Sequence, residues 1–177
     1  MTRKCFILGF IFSFFMITSF GQNVFISSVK LGEIKINAPI DSINKFLETK
    51  IKLSPFKKEN EVIKDTIKTT YKNISVRLIF QNYYDFENGK QLFTLLSLYS
   101  EDSKIITKSG IKIGDNKFDI VKKLEGSFLS ISPDLDRGKL YSTLVLVDLT
   151  ADTMMTFYFK DNLLYAIGLE SQDEFGC

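Results

Sequence analysis

The chain has 177 residues, with 23 basic against 21 acidic side chains, no histidine, no tryptophan and two cysteines. Without an imidazole it can build neither a Ser–His–Asp nor a Cys–His site, and so few His and Cys exclude the usual zinc site. Nearly balanced charge lacks the electrostatic footprint of a nucleic-acid binder.

The first element reads as an export signal. Arg3 and Lys4 precede an uncharged apolar run from Cys5 to Phe20, and small residues at Ser19 and Gly21 mark a cleavage site. The run is shorter than the roughly 20 apolar residues of a membrane span. Cleavage near Gly21 would leave Gln22 as the mature N-terminus, with no stable membrane span. An uncleaved anchor is the second reading. Removing 21 of 177 residues leaves 156, and the loss of two basic residues makes that remainder formally neutral. The expected location is periplasmic or secreted. The one remaining cysteine, Cys177, forbids an internal disulfide and leaves a terminal thiol free to cross-link two chains.

An internal repeat follows. Gly32-Glu33-Ile34-Lys35-Ile36-Asn37 leads to Ile40, Ile43 and Leu47, and Gly110-Ile111-Lys112-Ile113-Gly114-Asp115 leads to Phe118, Ile120 and Leu124. Each copy predicts a short strand, a turn and an amphipathic helix. Asp115 is the expected N-cap of the second helix, Pro39 suits the first turn of the first, and Gly126 is a stop signal. In copy one, alternation predicts strands over 74–81 and 91–99, joined by a loop containing Asn88-Gly89, with 65–71 as one more strand. Residues 54–64 read as a loop. In copy two, 131–138 reads as a loop, and 140–149, 154–159 and 163–169 as strands, with a tight turn at Asp161-Asn162. Phe157 and Phe159 should share a core face, with Tyr158 opposite.

The expected fold is therefore α+β: two tandem β-α-β-β-β repeats, 22–108 and 109–177, forming one compact unit. Their strands would make an antiparallel sheet with both helices on one face, and the other face open.

The stretch Gly110 to Asp115, with Val121 and Leu124 behind it, resembles the opening of the small outer-membrane assembly lipoproteins of the SmpA/OmlA type. It is also similar to the β-lactamase inhibitor proteins, which carry such a module in tandem. Copy one departs from the pattern at Asn37 and Asn44, no lipobox cysteine is present, and no disulfide is available. The resemblance implies a non-enzymatic binding module whose exposed sheet face contacts a protein or envelope component.

Tyr83, Tyr84 and Phe86, placed near the Asn88-Gly89 turn, are the candidate binding residues, because exposed aromatics dominate interface hot spots. Asp134, Asp136 and Asp148 are weak calcium candidates. The stretch from Asp134 to Gly138 has part of a calcium loop, but Lys139 and Val145 stand where its glycine and glutamate belong. No cofactor is expected. Asp148 and Asp152 are the nearest pair for an alternative class, a carboxylate-based hydrolase of envelope polysaccharide. A third reading is a structural subunit of an envelope complex. Asp41-Ser42-Ile43, Asp65-Thr66-Ile67 and Asp152-Thr153-Met154 resemble bacterial O-glycosylation sites.

Overall fold

The computed structural model describes residues 23–53, 64–85, 89–127, 129–134 and 137–172. Residues 1–21, read as an export signal, and Cys177 lie outside them. The fold is mostly β, and all its strand pairs but one are antiparallel among the described residues. The main sheet has seven strands: β4 (Lys64–Tyr71), β5 (Ile74–Asp85), β6 (Lys90–Ser100), β8 (Leu129–Pro133), β9 (Tyr141–Asp148), β10 (Thr153–Lys160) and β11 (Leu163–Ser171). Their order is β4-β5-β6-β11-β10-β9-β8, and every neighbouring pair is antiparallel. Two-residue turns drive the hairpins. Lys72-Asn73 and Asp161-Asn162 all take positive φ, which matches the right-handed twist of the flanking strands.

A smaller sheet covers one face of the larger. It contains β1 (Val24–Ile26), β2 (Lys30–Leu31), β3 (Ile34–Lys35) and β7 (Ile105–Thr107), with β1 parallel to β7. Strand alternation sends Val24, Ile26, Leu31, Ile34 and Ile105 into the same core as Ile74, Leu78, Phe80, Leu98, Phe157, Phe159 and Leu169 from the main sheet. Phe157 and Phe159 are fully buried, and Tyr158 between them is not.

Two short helices complete this covered side, α1 (Ile40–Ile43) and α2 (Lys117–Lys123), anchored in the core by Ile43 and Ile120. Both are shorter than the periodicity predicts. Asn44 ends α1 by clasping the Ile51 backbone, its amide donating to the Ile51 carbonyl and its oxygen accepting from the Ile51 N–H. Gly126, at φ 85°, turns the chain after α2. With helices this small the α+β expectation gives way to a mainly β fold.

Other expectations shift by a residue or a strand. Asn116, not Asp115, caps α2, and its side chain accepts from the Phe118 N–H at 2.9 Å. Asp115 instead pairs with Lys123 at 3.2 Å. Pro39 is the residue before α1 rather than part of its first turn. The segment read as a loop over 131–138 begins as edge strand β8. Ile34-Lys35 lies in β3, whereas the matching Ile111-Lys112 makes only an isolated bridge from Lys112 to Ile106.

Bonds just before each helix tie the two layers together. Asn37 donates to the Leu95 carbonyl and Leu95 donates to the Ala38 carbonyl; Gly114 donates to the Leu164 carbonyl and Leu164 to the Asp115 carbonyl. Each receiving strand bulges at the next residue. Opposite β5, Leu96 is the extra residue of β6, and opposite β10, Tyr165 is the extra residue of β11.

Thr153 and Ser171 face each other across β10 and β11, both buried, and neither hydroxyl has a hydrogen-bond partner. A buried hydroxyl without a partner costs about 1–3 kcal/mol of desolvation. Thr153→Val keeps the shape and removes the hydroxyl. It should raise the chemical-denaturation midpoint, by up to about 1 kcal/mol of stability. A lowered midpoint would show that the hydroxyl is satisfied in solution.

Candidate binding face

β5 extends to Asp85, so Tyr83 and Tyr84 are strand residues, opposite Leu92 and Gln91, and not the loop residues the sequence suggested. Phe86 lies outside the described residues, as does Asp136.

The acidic candidates are separated. Asp134 bonds the Arg137 backbone at 3.2 Å and pairs with its guanidinium at 3.5 Å, and its own N–H bonds Tyr141, the first residue of β9. Asp148 is the last residue of β9. Seven residue steps at roughly 3.3 Å put the two ends of β9 about 23 Å apart. Asp148 accepts from the Ser28 hydroxyl at 2.7 Å and from the Thr150 and Ala151 N–H groups. The Ser28 bond foremost, with these backbone donors, holds its carboxyl below the usual range. It caps the β9–β10 turn and fastens the small sheet to the large one. The same turn holds Asp152, at φ 50°. No cluster of three or more metal-ligating side chains occurs among the described residues. Thr153, in one of the three glycosylation-like tripeptides, is 3% exposed and beyond the reach of a transferase in the folded chain.

The concentration of chemistry lies on the face of the main sheet turned away from the small sheet and the two helices. Four tyrosines from four strands form a row there: Tyr99 on β6, Tyr158 on β10, Tyr165 on β11 and Tyr141 on β9. The centroids are 5.4 Å apart from Tyr99 to Tyr158, 6.3 Å from Tyr158 to Tyr165 and 6.1 Å from Tyr165 to Tyr141. Both ends carry a cation. The Arg77 guanidinium lies 5.0 Å from the Tyr99 ring, and the Lys160 ammonium 5.7 Å from the Tyr141 ring. Edge-to-face pairs contribute about 0.5–1.5 kcal/mol each beyond area burial, and cation–π contacts about 0.5–1 at exposed sites.

Local sequence explains how the row forms. Alternation places Tyr158 opposite the Phe157–Phe159 core face. Gly168, directly across the sheet from Tyr99, has no side chain, and the Tyr158 ring lies over it, 3.2 Å from where a Cβ would stand. The bulge at Tyr165 gives it a place on the open face between Tyr158 and Tyr141. Hydroxyls are tethered: Tyr99 donates to Glu101 at 2.8 Å, Tyr158 to Glu170 at 3.3 Å, and Tyr165 accepts from Arg137. Beside Arg77 and Tyr99 lies a shallow depression of about 360 Å³, which Lys68 and Ser75 also line.

Burial, and then the nearby Glu101, Glu170 and tyrosine groups, raise Tyr99 and Tyr158 above the ordinary phenol value; burial raises Tyr165 against the opposing pull of Arg137. A phenol raised in the folded state keeps its full contribution below the unfolded value near 10. That contribution is lost as pH rises from there through the folded value. The fold should therefore lose stability above about pH 10, and Tyr99, Tyr158 and Tyr165 should ionise late in an alkaline absorbance titration. Tyr158→Phe should flatten the decline. Normal ionisation of Tyr99, Tyr158 and Tyr165 with no loss of stability would contradict the half-buried row.

No family model matches the chain, and no curated protein or solved structure matches it. Among the described residues, no helix is long and apolar enough to cross a membrane.

Proposed function

We propose that this chain is an exported, non-catalytic binding module that docks a protein partner on the tyrosine row of its open sheet face. The observation that carries the reading is the unbroken series Arg77, Tyr99, Tyr158, Tyr165, Tyr141, Lys160 across five adjacent strands. Tyr and Arg are the residues that dominate interface hot spots. Strand-mounted side chains lose little freedom on binding, which favours affinity. The rings meet at steep angles of 53–88°, so they offer edges and hydroxyls more than flat stacking platforms. That geometry suits the mixed polar and apolar surface of a protein better than the flat face of a sugar ring. The export signal at residues 1–21 supports an extracytoplasmic setting.

A tandem origin also belongs to this reading. The bonded residues Asn37 and Gly114 lie 77 positions apart, the same offset as Ile43 and Ile120 in the two helices. Each receiving leucine, Leu95 or Leu164, directly precedes its strand's bulge. The strands β4-β5-β6 and β9-β10-β11 then meet at the antiparallel β6–β11 seam. On this correspondence Tyr158 and Tyr165 stand where the first half has Ile79 and Leu96, so these two rings of the row have no aromatic counterpart in the first half.

The test uses capture from a native envelope extract with cross-linking. Wild type should retain a saturable protein partner that the double variant Tyr99→Ala/Tyr141→Ala loses. Affinity for that partner should fall by about 30-fold or more, the scale of a hot spot, while cooperative unfolding is preserved. Equal binding by both proteins would remove the row from the interface.

A further inference from the structure

β8 is an edge strand, and its free side has the phase of a pairing surface. The Asp134 N–H bonds the Tyr141 carbonyl, so Asp134, Ser132 and Ser130 point their backbone groups toward β9. The backbone groups of Leu129, Ile131 and Pro133 consequently point outward. Proline has no N–H to waste there, which is why it is tolerated at this position.

Edge strands normally carry charges that discourage pairing. The opposite edge, β4, does so with Lys68. β8 reads Leu-Ser-Ile-Ser-Pro and carries none. A row of apolar side chains runs across the sheet toward it, from Ile167 through Phe157 and Leu144 to Ile131. The first three are fully buried, and the row ends at Ile131, 54% exposed. Leu140, on the loop that leads into β9, is 61% exposed.

We infer that β8 pairs antiparallel with β8 of a second copy of this chain, about a two-fold axis at Ile131. The strand is self-complementary in that register. Ile131 faces Ile131 of the second copy, and each backbone exchanges an N–H and a carbonyl with the other. Leu129 faces Pro133 of the second copy and donates to its carbonyl, so the missing proline donor removes only one bond at each end. Four main-chain bonds form, the apolar row continues from one subunit into the next, and the two seven-stranded sheets become one. The contact is isologous and closes as a dimer. It leaves the tyrosine row open, so it stands independently of the proposed binding role.

The test is sedimentation equilibrium of the chain from Gln22 onward with Cys177→Ser, which removes any disulfide-linked dimer. A concentration-dependent dimer is expected. Ile131→Lys, which sets two ammonium groups against each other at the axis, should return it to monomer with its unfolding midpoint little changed. In the same background, Ile131→Cys should cross-link under oxidation, because facing Cα atoms in such a pair lie about 5.5 Å apart, within disulfide range. Ser130→Cys, which would face Ser132 of the other copy, should not. A monomer at every concentration, a dimer that survives Ile131→Lys, or equal cross-linking from both cysteines would overturn the assignment.

Discussion

Replacing Phe157 by alanine should remove about 3–5 kcal/mol of stability, the range for truncating a large, fully buried aromatic. Phe157 is central in β10, wholly buried, with Leu144 and Ile167 directly opposite on the neighbouring strands. A domain of this kind holds about 5–15 kcal/mol in total, so the loss is about a fifth of the whole at the least. Urea unfolding with an unchanged slope would measure it. Met155, with its flexible chain nearby on the same face, can fill part of the cavity and keep the loss from exceeding this range. A loss below about 1 kcal/mol would mean that Phe157 is not in the shared core.

Gly32→Ala should be comparably damaging, for a different reason. Gly32 has φ 56°, in the left-handed region, and a Cβ built there would overlap the Tyr71 hydroxyl. Left-handed backbone costs an L-residue about 1–2 kcal/mol, and overpacking adds about 1–3. Tyr71 cannot simply withdraw. It is fully buried, its hydroxyl accepts from the Glu33 N–H at 3.0 Å and donates to the Glu33 carboxylate, and that carboxylate pairs with Lys72 at 2.9 Å. The expected loss in urea unfolding is about 2–5 kcal/mol. Tyr71→Phe removes the hydroxyl and should make Gly32→Ala less harmful in the double variant than in the wild type. Strictly additive losses would show that the close approach does not exist in solution.

These positions show what was legible beforehand. The Phe157–Tyr158–Phe159 alternation assigns each ring to its face from three residues of sequence, because period two is a property of any strand. The Asp161-Asn162 turn is equally local. β8 was hidden because Ser, Pro and Asp around Ile131 resemble a loop, and what makes the segment a strand is its partner β9, far from it in composition. The helices were overestimated because Ile43 and Leu47, or Ile120 and Leu124, mark apolar spacing without marking where it stops. Asn44 ends α1 through a contact with Ile51 that no propensity encodes.

The tyrosine row as a row was not legible, although alternation alone sets Tyr158 opposite the core. Tyr99, Tyr141, Tyr158 and Tyr165 are isolated in sequence, on strands whose adjacency follows from pairing order. Two long-range details then bring them together: β6 meets β11 with Tyr99 across from Gly168, and the β11 bulge falls at Tyr165. The conspicuous cluster Tyr83-Tyr84-Asp85-Phe86 drew attention instead because it is contiguous. The Gly168 beneath Tyr158 is the one local hint, since a glycine inside a strand marks a close approach by something else.

The central claim, that the open face docks a protein partner, is tested most directly by site-specific photo-cross-linking in native envelope extract. A benzophenone-bearing phenylalanine analogue would replace Tyr141 on the open face or, separately, Phe25, which is 60% exposed on the small sheet. The account predicts one dominant adduct from position 141 and none from position 25. The same adduct from position 25 alone would contradict it and place the interface on the other side of the molecule.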